Sequence, residues 1–489
     1  MTLRFPLLLS LGFLLSTAAA TLADAAAPLS VDDAIRLALQ NNQRLKVSVL
    51  TPAIARANVL TAYGAFDPVL TFRRSHAEDE GPGVLAPLTT RSLSKLDSYT
   101  LSLDGLLPWG LRYSVGATAR NPRESSDGFA DNYATFGGIT VTQPLLRGFG
   151  FGANLASLRV ARASRDISDW QHRQTVIDTV TNVIFVFNNL QQARDNVRIA
   201  RLSRDLAAQL LADNQRRNAI GALSDADVTQ ARARVANREE SILFAERSVR
   251  DVENQLRLLV GDTAFQVEGG GLDTVELAPA AGITVNAAAD LKRAYELRPD
   301  YQAARLGLKI DRANEMLARN QLLPEVDFVG SYGYRGLDAD FRTARSQVRE
   351  QDARSYAAEF VVRIPLTFSE GRGRARAARL NLRRSEADLA QLEQEIAVSV
   401  AAAAGQIDTT KRRVAATRVA RDFAEQALEA ERKKLQAGSG RTLDVLSAQE
   451  QLSSVQNSHA RALADERRAI ASYERELGIT LLTHHIETE

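Results

Sequence analysis

The sequence predicts a mainly α-helical protein made of two internal copies, each with a β-sheet part set between long helices, and three observations predict it. The same blocks of residues occur twice in the same order. Within each copy the apolar period changes from helical to alternating and back. Beyond residue 23 no apolar run approaches the roughly 20 residues of a membrane-spanning helix, so any entry into a membrane must be by strands.

Composition limits the function. The 489 residues hold 61 Lys+Arg against 59 Asp+Glu, mixed along the chain, so the net charge of +2 conceals no basic block and argues against a nucleic-acid partner. The absence of Cys removes thiol catalysis, thiolate metal sites and an acylated N-terminal Cys, and suits an exported protein. With only 6% aromatic residues, the Ala-, Leu-, Arg-, Gln- and Glu-rich chain suggests long helices more than a compact catalytic core.

Residues 1–23 read as a secretory signal peptide: Arg4, an apolar run from Phe5 to Leu15, then Ala18, Ala19, Ala20 and Ala23 as small residues for cleavage. The first copy, 28–261, opens with a helix over Asp32 to Ala65, N-capped by Ser30 and ended by Pro68. Its counterpart runs from Ala288 to Leu322 before Pro324. Leu50 matches Leu306, Arg56-Ala57-Asn58 matches Arg312-Ala313-Asn314, and Phe72 matches Phe328.

Strands follow, at about 68–144 in the first copy and about 325–365 in the second. Tyr99, Leu101 and Leu103 face away from Ser98, Thr100, Ser102 and Asp104, and Leu111, Tyr113, Val115 and Ala117 away from their polar neighbours. Val326, Phe328, Tyr332 and Tyr334, with Ala358, Phe360, Val362 and Ile364, repeat the pattern. His76 to Gly83, Arg120 to Asn132 and Arg335 to Ser355 are expected as polar loops. Four strands per chain are the expectation, with six as the alternative if the longer first copy adds a hairpin around Leu107-Pro108-Trp109-Gly110.

Each copy then gives a helix of roughly 100 Å, over Asn154 to Ala219 and Ala375 to Ala437, which turns at Gly221 or at Gly438 and Gly440 and returns to Gly261 or Gly478. The returning helix and the opening helix together match one long helix in length, as in a rod with one continuous and one stacked side. Ile177, Val180, Ile184 and Phe187 form one apolar stripe, and Val176, Val183, Val186, Leu190 and Val197 a second beside it, which suits a helix with neighbours on both sides. A linker over 262–285, containing Gly269-Gly270-Gly271, separates the first copy from the second, 286–478, and 479–489 reads as a polar tail.

So few strands cannot close a barrel in one chain, and open edges cannot sit in lipid, so several copies would have to close it together. Such an assembly carries a strand barrel at one end of a helical tube, and a tube implies a conduit.

These features resemble the TolC-like outer-membrane efflux proteins. The resemblance rests on the two-copy layout, the helix-to-strand prolines Pro68 and Pro324, the junctions Gln143-Pro144-Leu145-Leu146-Arg147-Gly148 and Ile364-Pro365-Leu366, and the tip segments Gly221 to Val228 and Gly438 to Leu446. It implies a homotrimer with a joint β-barrel in outer-membrane lipid and an α-helical barrel in the periplasm. The implied work is export, with an inner-membrane transporter and a periplasmic adaptor as partners. By the same resemblance the two tips form the periplasmic entrance: Asp444 would narrow it as a ring, with Arg441, Ser447, Asp227 and Asp225 around it and Gly221, Gly438 and Gly440 making the turns. Ser447 stands where the family's well-known members carry a second Asp. Local chemistry offers another role for Asp444 and Asp227, which begin the returning helices and favour their positive ends.

No catalytic, cofactor or metal site is expected. Gly148, Gly150 and Gly152 stand at a strand-to-helix turn without the βαβ unit of a nucleotide site, and the five His are scattered, two of them in the tail as His484-His485. The competing readings are a strand-anchored structural or adhesive coiled-coil envelope protein, and a periplasmic adaptor with a single helical hairpin.

Overall fold

The computed structural model describes residues 29–85, 88–261, 275 and 283–486. The expected signal peptide lies outside the described residues, as does the linker except for 275 and 283–285.

Helix α1 (Val31–Asn41) starts at Ser30, whose hydroxyl accepts from Asp33 N at 3.1 Å. The single helix expected over Asp32 to Ala65 is in fact two, because Asn42 ends α1 and caps α2 (Gln43–Tyr63). Its Oδ1 accepts from Arg44 N at 2.9 Å and Leu45 N at 3.3 Å, and its Nδ2 donates to Leu259 O at 2.7 Å. An Asn whose amide replaces lost backbone partners makes such a break inexpensive.

Strands β1 (Val69–Leu85), β2 (Leu88–Leu106), β3 (Arg112–Glu124) and β4 (Tyr133–Pro144) follow, and a short helix α3 (Phe151–Asn154) leads into α4 (Ala156–Ala219). With 64 residues α4 is about 100 Å long. The returning helix α5 (Asp225–Val260) covers one half of it and α2 the other, which is the stacked arrangement.

The second copy repeats this order: α6 (Ala287–Leu297), α7 (Pro299–Gln321), β5 (Glu325–Asp338), α8 (Phe341–Glu350), β6 (Ala353–Arg363), α9 (Ser369–Gln436) and α10 (Thr442–Leu477). Here too the opening helix is broken, at Arg298, because Pro299 suits only the first turn of the next helix. Arg298 holds the break: its guanidinium meets Asp300 at 2.7 Å and Glu476 at 2.6 Å.

Both apolar stripes of α4 are buried as far as Leu190, whereas Val197 at the end of the second is only half-buried. Val176, Ile177, Val180, Val183, Val186, Phe187 and Leu190 pack with Ala34, Ile35 and Ala38 of α1 and Leu256 and Val260 of α5. The tail expected as a polar end also joins this core, since its apolar residues can be buried. Helix α11 (Thr480–Thr483) places Leu481 there, and Ile486 packs beside it.

Among the described residues six strands form one antiparallel sheet in the order β1-β2-β3-β4-β5-β6, so the expectation of four is corrected to the alternative of six. The miss has a physical cause: His76 to Gly83 lacks apolar alternation yet pairs along β2 through polar contacts. His76 Nδ1 lies 2.8 Å from Asp97, and Lys95 Nζ lies 3.0 Å from Glu78. Likewise β3 reaches Glu124, and the segment expected as a loop over Arg335 to Ser355 contains α8.

Cross-strand pairing puts most of the apolar residues on one face, where Leu70, Leu103, Val115, Ile139, Tyr332 and Tyr356 represent one residue from each strand, while Val69, Leu96, Phe136, Val329 and Val361 fall on the other. The opposite face carries Ser102, Ser114, Thr118, Thr140, Ser331 and Glu359. A row of paired residues, Ser102, Gly116, Gly138 and Gly333, crosses the polar face. A Cβ on Gly116 would come 2.8 Å from Ser102 Cα, and one on Gly138 2.7 Å from Gly333 Cα. The backbones therefore close up on the polar side, which makes that face concave and the apolar face convex.

Candidate functional site

The two hairpin tips lie at the ends of the helices remote from the sheet. In the first, α4 ends in a turn where Gly221 takes a φ of +76° and donates its N–H to Asn218 O at 2.8 Å. Ser224 then caps α5: its hydroxyl and the Asp227 carboxylate are 2.6 Å apart, and Asp227 Oδ2 also accepts from Ser224 N at 3.3 Å. The Asp227 carboxylate is thus engaged in starting the helix. Asp225 accepts from Asn218 Nδ2 at 3.0 Å, which closes the turn.

At the second tip Gly438 has φ +81°, and the N–H groups of Ser439 and Gly440 both donate to Lys434 O, at 3.0 and 3.1 Å. Gly440 must be small, since a Cβ there would lie 2.8 Å from Leu435 N. Arg441 caps α10 through its backbone, its carbonyl accepting from Asp444 N at 3.1 Å.

Asp444 is exposed in the first turn of α10, with Ser447 exposed three residues on and therefore on the same side. Among the described residues neither Asp444 nor Arg441 forms an ion pair, although the resemblance sets Arg441 beside Asp444 at the entrance. Asp444 acts instead on Lys434, whose ammonium is held above its ordinary pKa first by its 2.6 Å bond to Glu431 and further by the Asp444 charge.

Sequence reading missed the residues that join the tips. Arg217 Nη2 donates to Leu435 O at 2.8 Å, Arg432 Nη2 to Gln209 Oε1 at 2.8 Å, and Gln449 Nε2 to Leu206 O at 3.2 Å. Arg234 pairs with Glu450 between α5 and α10. Under these bonds Leu210 of α4 is buried with Leu428 and Leu435 of α9 and Val445, Leu446 and Leu452 of α10. Their partners are more than 200 residues apart, so no local motif signals them.

Elsewhere the geometry is structural. Gly148 and Gly150 form a corner, where Gly148 N donates to Asn320 Oδ1 at 2.8 Å and Gly150 N to Trp109 O at 2.9 Å. Among the described residues no group of three or more His, Asp or Glu is placed to hold a metal ion. His484 sits beside the buried Glu474, 3.8 Å from its carboxylate. No described helix is long and apolar enough to cross a membrane. The arrangement is a two-hairpin rod with charged tips at one end and, at the other, a curled sheet that is apolar outside and polar inside.

Comparison with known proteins gives a consistent result. The model of the outer membrane efflux protein family matches residues 97–262 and 291–478. The outer membrane protein TolC of Vibrio cholerae is 24% identical over 263 residues, covering 53% of this chain and 57% of that protein, so the match spans little more than half of the relative's length. Among solved structures, the outer-membrane channel OprN superposes with a TM-score of 0.68 at 18% identity, over 92% of this chain and 89% of that one. The outer membrane protein VceC of Vibrio cholerae superposes at 0.66 and 17% identity, over 92% and 96%.

Proposed function

We propose, from the premise that the chain belongs to the outer membrane efflux protein family and is a protein of the outer membrane that extends into the periplasm, that three copies form an export duct, passing small molecules or proteins outward from an inner-membrane transporter joined to it by a periplasmic adaptor.

The observation that carries this reading is the curled sheet. Among the described residues its two edge strands, β1 and β6, have no partner on their outer sides, and unpaired backbone groups cost several kcal/mol each in lipid. Six strands are fewer than the roughly eight of the smallest membrane barrels, whereas β6 of one copy joined to β1 of the next closes a barrel of 18 from three sheets of six. At roughly 4.8 Å between strands and a tilt of about 40°, such a barrel has a backbone radius of about 18 Å. Its polar concave face lines the lumen and its convex face meets lipid. The helices continue the wall for about 100 Å, and their exposed apolar residues, such as Phe244 of α5 and Val398 and Phe423 of α9, supply surface for neighbouring copies or an adaptor.

At the tips, three exposed Asp444 carboxylates around a threefold axis repel each other and attract cations. We assign Asp444 to the entrance, with Asp227 and Asp225 as helix-start and turn residues. The test is planar-bilayer conductance of the purified protein with its mass measured in parallel. A trimer with a small, cation-preferring conductance is expected, and Asp444→Ala should raise the conductance and reduce the preference. Because the chain has no Cys, cysteine pairs placed along β1 and β6 probe the closure directly. They should yield a covalent trimer; cross-links confined to one chain would refute it.

A further inference from the structure

Helix α8 connects β5 to β6 at the end of the sheet remote from the long helices, and it lies on the convex apolar face. Its seat is built for close approach. Ala344 is fully buried, and Thr135 Oγ1 donates to Ala344 O at 2.8 Å. A Cβ on Gly137 would come 2.8 Å from Val348 Cγ1. Leu337 N donates to Gln347 Oε1 at 2.9 Å, and the Phe341 and Tyr133 rings are centred 5.6 Å apart. Thr135, Gly137 and Ala119 belong to the same face as Leu101, Val115 and Ile139, so the helix stands outside the proposed barrel, against what would be the lipid.

Between α8 and the sheet runs an apolar groove of about 180 Å³, lined by Phe72, Leu101, Ala117, Phe341 and Val348 with Arg345 at its side. Arg342, Arg345 and Arg349 are exposed along α8. Among the described residues Arg342 and Arg345 form no ion pair, and Arg349 reaches only Glu350, at 3.9 Å. The acids before the helix are engaged locally, Asp340 by Thr343 N at 3.0 Å and Asp338 by Asp340 N at 2.9 Å. Arg354, paired with Tyr334 across β5 and β6, adds a further cation to the same face. Guanidinium groups beside an apolar groove match a ligand with both a phosphate and an acyl chain.

We propose that the groove under α8, together with Arg342, Arg345 and Arg349, binds a phosphorylated glycolipid of the outer leaflet, one acyl chain entering the groove and its phosphate meeting the arginines. The proposal rests on the reading that the convex face meets lipid. α8 lies at the outer end of the strands, so the lipid it meets belongs to the outer leaflet.

The test is native mass spectrometry of the full-length assembly in detergent, titrated with lipid A, dephosphorylated lipid A and phosphatidylglycerol. Lipid A should bind at least about tenfold more tightly than its dephosphorylated form. The triple variant Arg342→Gln, Arg345→Gln, Arg349→Gln, whose exposed side chains leave the helix seat intact, should lose that preference. Equal retention of lipid A by wild type and variant overturns the site, and Arg-dependent binding of phosphatidylglycerol as tight as that of lipid A overturns the glycolipid assignment. A nitroxide on Phe360→Cys in lipid vesicles separates the two levels. An oxygen-accessible label with no Arg dependence sinks the site alone, whereas a label in water sinks the orientation on which it rests.

Discussion

Replacing Arg217 by Met tests whether the two hairpin tips of one chain are latched to each other. Arg217 lies in the last turn of α4 and donates to Leu435 O, in the last turn of α9, at 2.8 Å. Met keeps an unbranched apolar stem and removes the donor. Leu435 O is not orphaned by the change, because Gly438 N also donates to it, at 3.2 Å, so the loss is that of one charge-assisted bond. Such bonds contribute about 1.5–3 kcal/mol when buried; with Arg217 only half-buried, about 1 kcal/mol applies here. Three latches in the proposed trimer sum to about 3 kcal/mol, or about 150-fold in the ratio of closed to open states if the tips open together. Single-channel recording in planar bilayers reads this as longer and more frequent open dwells, and Arg217→Lys should fall between. A wild-type open probability for Arg217→Met, in a trimer of unchanged mass, would show that this bond does not hold the entrance shut.

Two further outcomes concern the middle of the rod. Arg298→Met strips Asp300 and Glu476 of their shared partner; burial disfavours the Arg298 charge, but its bonds to Asp300 and Glu476 prevail and raise its pKa. A loss of about 3 kcal/mol should appear as a clear drop in melting temperature, and an unchanged melt would mean that the helix break does not depend on the pair. Glu474 is pushed by burial from 4.5 to about 7, so the folded protein keeps a proton there that the unfolded chain releases. The contribution of Glu474 to stability is therefore full below about pH 4.5 and is lost as pH rises toward 7, by about 3 kcal/mol in all. Glu474→Gln should flatten that decline in melts taken between pH 5 and pH 8, and a slope equal to wild type would exclude Glu474 as its source.

Much of the architecture was legible because it is written in local periodicity. A 3.6-residue repeat sustained over Ala156–Ala219, helix ends marked by Gly261 and Gly478, and duplicated blocks such as Arg56-Ala57-Asn58 each require only neighbours in sequence to be recognised. The tip turns at Gly221 and Gly438 were visible for the same reason, since only a residue without a Cβ adopts their left-handed backbone without strain. The breaks at Asn42 and Arg298 also had local signals, an Asn able to cap and an Arg followed by Pro299, which the apolar period of the flanking helices obscured.

The remainder depended on partners distant in sequence. His76 to Gly83 became a strand because β2 offered matching polar residues, and no apolar alternation announces that kind of pairing. The latch from Arg217 to Leu435 spans 218 positions, and the burial of Leu481 requires the core around Phe187. The charge balance of the whole chain, +2, argued against polyanions, yet folding sets three arginines along one exposed side of a ten-residue helix and uses the nearby Asp338 and Asp340 in caps and turns. Sequence by itself determined the long helices, the apolar strands and the tip turns, because those follow from short-range sterics and apolar period. Only the tertiary structure decided which face of the sheet is concave, which tips touch and where charge accumulates, because each of these is a sum over residues that the chain brings together only on folding.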